Sequence, residues 1–123
     1  MIRLVIPWEH LASSNQRNSR RGGRGHGWGY KRSLKAIHAH ALTQTQPPRP
    51  MYPDQAVTMQ CRFHPPDRRR RDVANYLKGL QDALEGACYT DDWQVVRTEI
   101  ERDETDRERP RVEITIQEVE SDE

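Results

Sequence analysis
Apolar and polar positions recur regularly enough along this chain to divide it into elements. Ile2, Leu4 and Ile6 alternate with Arg3 and Val5 before Pro7 stops the run, the signature of a strand buried on at least one face. From Tyr30 to Thr43, Leu34, Ile37, Ala41 and Leu42 recur at helical spacing, which predicts an amphipathic helix. Ala56 to His64 returns to period two, with Val57, Met59, Cys61 and Phe63 on one side, so a second strand is expected there. Pro65-Pro66 ends it. Residues 72–85 then place Val73, Leu77, Leu80 and Leu84 on one helical stripe, with Asn75, Lys78 and Asp82 opposite and Gly86 as the stop. Val95 to Glu101 and Arg111 to Val119 both alternate, and the charged turn between them predicts an antiparallel hairpin. The order β-α-β-α-β-β implies an α+β fold: two layers, with helices packed on a mixed or antiparallel sheet.

Two segments resist this patterning. Residues 13–29 mix arginines with glycine, serine, Asn15, Asn18, His26 and Trp28, and predict a mobile basic loop. Such a loop pairs with phosphates and stacks on bases, or merely solubilises the chain. The proline-rich stretch from Gln46 to Asp54 reads as a connector.

Composition narrows the class. A chain of 123 residues is expected to form a single domain over 1–123. Its mean hydropathy of −1.06 and 32% charged residues are those of a protein committed to a charged ligand or carrying solvated segments. No apolar run approaches the ~20 residues of a membrane span, and the two cysteines form no disulfide framework. A cytoplasmic setting with no membrane partner follows as the expectation. The net charge of +1 hides an asymmetry: Lys and Arg outnumber Asp and Glu by 8 to 1 over residues 1–35 and by 6 to 2 over 36–71, then trail by 6 to 16 over 72–123. Basic and acidic functions are thereby divided along the chain, and residues 118–123 read as an acidic tail.

The chemistry concentrates in Pro66-Asp67-Arg68-Arg69-Arg70-Arg71-Asp72, continuing through Asn75, Lys78 and Asp82 to Asp91-Asp92. Arginine forks match phosphate oxygens, and carboxylates are the hard ligands that Mg²⁺ takes when it acts on phosphodiesters. The segment reads as a nuclease site. Plainer roles compete: Asp72 stands where a helix N-cap would stand, Asp82 is better placed as a structural polar partner, and Lys78 by itself is an ordinary surface lysine. His10, His26, His38, His40 and His64 with Cys61 and Cys88 lack the close spacing of a zinc site. If the second helix ran its full predicted length, its 1.5 Å rise per residue would hold Asp72 and the Asp91-Asp92 pair ~20 Å apart. Either the loop after Gly86 folds back or the helix ends early.

These residues resemble the RusA family of phage and prophage Holliday junction resolvases. The likeness rests on the run from Pro66 to Asn75, Lys78, Asp82-Ala83-Leu84 and Asp91-Asp92-Trp93-Gln94-Val95-Val96. Ile6-Pro7-Trp8, Ser14-Asn15 and the closing valine and isoleucine strand support it. The resemblance implies a homodimeric, Mg²⁺-dependent endonuclease, with Mn²⁺ as an alternative and no small-molecule cofactor, that nicks two opposed strands of four-way junction DNA in recombination and repair. It implies metal-binding roles for Asp72 and Asp92, with Asp91 their neighbour, and a catalytic role for Lys78. DNA contacts are expected from Arg68, Arg69, Arg70 and Arg71, from Arg17, Arg20, Arg21 and Arg24 in the basic loop, and from Lys31 and Arg32.

One position departs from the family. Its Asp-Leu-Asp-Asn pattern is here Asp72-Val73-Ala74-Asn75, and Ala74 has no ligand to give. Losing one of three carboxylates implies impaired cleavage, while binding to junction DNA survives or tightens. The alternative reading is a junction- or nucleic-acid-binding protein that does not cleave.

Overall fold
The computed structural model describes residues 1–13 and 28–119. Most of the basic loop, including Arg17, Arg20, Arg21 and Arg24, and the end of the acidic tail lie outside the described residues. The elements are β1 (Ile2–Pro7), α1 (Trp28–Gln44), β2 (Val57–His64), α2 (Leu77–Ala83), β3 (Val95–Arg102) and β4 (Arg111–Glu118). Short 3-10 turns at Trp8–His10, Val73–Tyr76 and Asp92–Gln94 join them. The fold is α+β, with a mixed four-stranded sheet in the order β1-β4-β2-β3.

The predicted hairpin between β3 and β4 does not form. β4 instead lies between β1 and β2 and is antiparallel to both, while β3 pairs in parallel with β2 at the sheet edge. Composition explains the exchange. Val112, Ile114 and Ile116 of β4 are completely buried, so this strand belongs where both neighbours shield it. β3 reads Val-Val-Arg-Thr-Glu-Ile-Glu-Arg and contains no fully buried residue, which suits an edge. The charged stretch after β3 is therefore a connection across the sheet end, and α2 lies in the crossover between two parallel strands.

One face of the sheet carries the core. The register aligns Ile2, Ile116 and Met59 in one row, Leu4, Ile114 and Cys61 in the next, and Ile6, Val112 and Phe63 in a third. All nine are buried, and Ile37 and Ala41 of α1 and Leu80, Ala83 and Leu84 in and after α2 complete the same cluster. Leu42, predicted on the buried stripe of the first helix, is instead among the exposed large hydrophobics. Tyr30, Ile37 and Ala41 are the buried positions on the covered side. A Cβ added at Gly79 would stand 3.0 Å from the Ala12 carbonyl oxygen, so the absence of a side chain there lets α2 approach the segment after β1. Among the described residues no helix is long and apolar enough to cross a membrane.

Candidate active site
The second helix is shorter than its sequence pattern predicts, and that shortness assembles the site. Asp72 opens the segment as an N-cap, its Oδ1 accepting the Ala74 N–H at 3.1 Å. A 3-10 turn follows, and α2 ends at Ala83. The chain then folds back. The Leu84 carbonyl accepts the Cys88 N–H at 3.0 Å, and Gly86, at φ +88, donates to the Tyr89 carbonyl at 2.7 Å. A left-handed φ there favours glycine. The return brings Asp92 to Lys78, whose ammonium donates to Asp92 Oδ2 at 2.8 Å and lies 3.0 Å from Asp82 Oδ1. Both routes open in the sequence, an early helix end and a folded-back loop, are used.

Asp82, Glu85 and Asp92 offer carboxylate oxygens that all lie within 4.8 Å of one another. Tyr30 of α1 donates to Asp82 Oδ2 at 3.2 Å, and Glu85 Oε1 accepts the Asp92 N–H at 3.2 Å. The electrostatics divide the group. The Lys78 hydrogen bond holds the Asp92 carboxyl below its ordinary value, and its two acidic partners raise the Lys78 ammonium. Burial pushes the Glu85 carboxyl up, against the hydrogen bond it accepts from the Asp92 N–H, which lowers it. Three hard oxygen donors in one place suit a divalent cation such as Mg²⁺. Of the carboxylates given metal-binding roles from sequence, Asp92 belongs to this group, whereas Asp72 and Asp91 both serve as N-caps. Asp91 accepts the Trp93 N–H at 2.8 Å in a capping box completed by Gln94.

Gln94 fixes that turn from beneath. It is buried, receives the Thr90 and Asp91 N–H groups on Oε1, and donates through Nε2 to the Tyr52 and Gln55 carbonyls. A side chain with all these partners cannot shift without orphaning several groups, so the backbone at Asp92 is held.

The arginine run is not uniform. Arg71 forks onto Asp67, Nη1 to Oδ1 at 2.7 Å and Nη2 to Oδ2 at 3.1 Å. Its guanidinium lies 5.6 Å from the centroid of the Trp8 ring, and that ring packs edge-on against Tyr76 and Phe63. Arg71 is thus a structural clasp. Arg68, Arg69 and Arg70 are exposed and, among the described residues, form no ion pair. Lys31 and Arg32 on α1 are exposed as well. The Arg71 hydrogen bond pulls the Asp67 carboxyl down to about 2 from an ordinary value of 3.8. Since folding lowers this value, the pair's contribution to stability is complete above pH ~4 and is lost as pH falls towards about 2. A carboxyl titration by NMR should find Asp67 still ionised at pH 3, and Arg71→Gln should raise its value towards the ordinary range, short of it because the Arg69 N–H still donates to Oδ1.

Sequence reasoning missed Glu85 as a possible donor and placed Asp82 as a structural polar partner rather than a ligand. The spacing of Lys78, Asp82 and Glu85, four and three residues apart on a helix, was the available signal. Trp8 and Asp67 as the holders of Arg71 had no such signal, since they meet it through tertiary contact and a turn.

The α+β sheet thus sets exposed arginines ahead of a helix at which a lysine and carboxylates converge. The chain matches the sequence profile of the family described as endodeoxyribonuclease RusA over residues 7–117, and it belongs to that family. It is also similar to "Uncharacterized protein YqaN" of Bacillus subtilis (strain 168), 48% identical over 48 residues, a stretch that covers 39% of this chain and 32% of that protein.

Proposed function
We propose that this chain is a Mg²⁺-dependent endonuclease that binds four-way DNA junctions as a homodimer and nicks two opposed strands, with cleavage impaired by Ala74. The observation that carries the reading is the convergence of Asp82, Glu85 and Asp92 around Lys78, on the segment that Asp72 caps and the arginine run precedes. Asp92 with Asp82 and Glu85 would hold the cation, and Asp72 supplies a further carboxylate at the head of the same segment. Bound Mg²⁺ supplies an activated water at neutral pH and offsets transition-state charge. Lys78 balances the carboxylates and offers donors to a phosphate oxygen. Arg68, Arg69 and Arg70 grip the backbone on either side, joined by Lys31, Arg32 and the basic loop.

Gel shifts of four-way against linear duplex DNA, with nicking assays in Mg²⁺ and Mn²⁺, test this reading. Preferential junction binding with slow paired nicking supports it, and equal affinity for linear duplex defeats it. Replacing Arg68, Arg69 or Arg70 singly by Gln should weaken binding and reduce the salt slope of log K by about 1 for each phosphate no longer neutralised. Arg71→Gln would act instead by releasing the clasp on Asp67 and Trp8. The second reading, a junction binder that does not cleave, is favoured by the exposed alanine at position 74. Complete absence of nicking with either metal, alongside tight junction binding, would establish it.

A further inference from the structure
The indole of Trp93 is 86% exposed, more than any other large apolar side chain among the described residues. A lone apolar group at a surface is ordinary, but a tryptophan leaves an unusually large aromatic face in water. Trp8 shows how the chain treats a ring that it needs for packing, setting it edge-on against Phe63 and Tyr76. The turn that carries Trp93 has no such need of its ring. Asp91 accepts the Trp93 N–H at 2.8 Å, and Gln94 ties the turn from beneath to the backbone of Tyr52, Gln55, Thr90 and Asp91. The indole therefore stands in solvent on a backbone that these bonds hold fixed.

Position gives the ring its meaning. Asp92, the residue before it, accepts the Lys78 ammonium at 2.8 Å and belongs to the carboxylate group with Asp82 and Glu85. Consecutive Cα atoms are about 3.8 Å apart, so the ring is rooted one residue from the oxygens proposed to hold the metal.

We propose that Trp93 stacks on a nucleobase left unstacked at a DNA branch point, beside the phosphate presented to Lys78 and the carboxylates, and so makes the chain prefer branched DNA to linear duplex. The inference deepens the nuclease reading and rests on it for the placing of that phosphate. Inside a continuous duplex both faces of each base are covered by its neighbours, and a ring finds nothing to stack on. At a branch the stack is interrupted, and taking a base out of it costs least. Contacts from Arg68, Arg69 and Arg70 to phosphates are available on either DNA and do not discriminate between them. A nucleobase also brings its own phosphate to the Lys78 ammonium, so one ligand meets both the ring and the charge.

The test compares the full chain with Trp93→Ala, Trp93→Leu and Trp93→Phe in Ca²⁺, on a four-way junction and on linear duplex of the same sequence. Trp93→Ala should weaken junction binding about tenfold or more, the scale of one base–aromatic stack, and leave duplex binding unchanged. Trp93→Phe should recover most of the affinity, and Trp93→Leu, apolar but without a π-face, little of it. Since no charge is lost, the salt slope of log K should stay that of the parent, unlike the slopes of the arginine variants. Tryptophan emission should be quenched when the parent binds the junction and much less so with Trp93→Phe. Circular dichroism checks that every variant is folded. Parental junction affinity in Trp93→Ala, or a rescue by Trp93→Leu equal to that by Trp93→Phe, overturns the stack. A change in the sedimentation of the DNA-free chain on Trp93→Ala assigns the ring to a protein contact and overturns it as well. If the ring-dependent preference for the junction is found while neither the parent nor Ala74→Asp nicks DNA in Mg²⁺ or Mn²⁺, the nuclease reading falls and the stack stands. Nicking by a Trp93→Ala protein of parental affinity leaves the nuclease and removes the stack.

Discussion
Ala74→Asp should raise junction cleavage in Mg²⁺ on the order of 100-fold or more, the scale on which a single well-placed electrostatic group acts in an active site. Ala74 is exposed in the turn directly after Asp72, and its N–H is already the donor to the Asp72 carboxylate. Its side chain is therefore not needed for packing, and the backbone hydrogen bond survives the substitution. An aspartate there adds the oxygen donor and the negative charge that the resemblance implies for this position. Single-turnover nicking of a mobile four-way junction, with Ala74 and Ala74→Asp proteins at saturating concentration, separates cleavage from binding. Unchanged rates would remove position 74 from the chemistry. Junction affinity in Ca²⁺ should stay equal or fall slightly in the Ala74→Asp protein, because a carboxylate is returned beside the DNA phosphates.

The second large effect concerns Asp92. In the Ala74→Asp background, Asp92→Asn should reduce cleavage by about two orders of magnitude or more, because it removes charge from the oxygen group proposed to hold the metal. The amide keeps the size of the carboxyl, and the turn is anchored by Asp91 and Gln94 rather than by the Asp92 side chain, so the fold should persist. Lys78 would lose its shortest ion pair and keep Asp82. Isothermal titration with Mn²⁺ gives a readout apart from activity: affinity should fall with Asp92→Asn, and a metal isotherm identical to that of the parent would exclude Asp92 as a ligand.

The elements were legible wherever one residue pattern decided the structure. Val57, Met59, Cys61 and Phe63 alternate without interruption, and the strand they predict is found nearly residue for residue. The pairing of strands was not legible in the same way. Alternation in β3 and β4 identifies two strands and says nothing about which partner each takes. That was decided by competition for the centre of the sheet, in which three fully buried side chains of β4 outweighed the short connection to β3. The length of α2 was hidden for a related reason: Asp72 to Glu85 keeps a helical period throughout, yet a 3-10 turn and an early stop interrupt it. Those interruptions bring Lys78 to Asp92. At the site, Asp92, Lys78 and the arginines stood out by type and order, whereas the contributions of Glu85, Trp8 and Gln94 exist only once the loop after α2 has returned.

The place of β4 has a consequence for how the molecule is made. This interior strand of the sheet is synthesised after the other described elements, and β1 pairs with it across most of the described residues, Ile2 opposite Ile116. While the ribosome is still translating, β1 has no ladder to join, and β2 can pair only with β3. Closing so long a loop is slow compared with forming α1 or α2. The nascent chain therefore carries an open, apolar sheet face until β4 emerges, and in this interval it depends most on protection from aggregation.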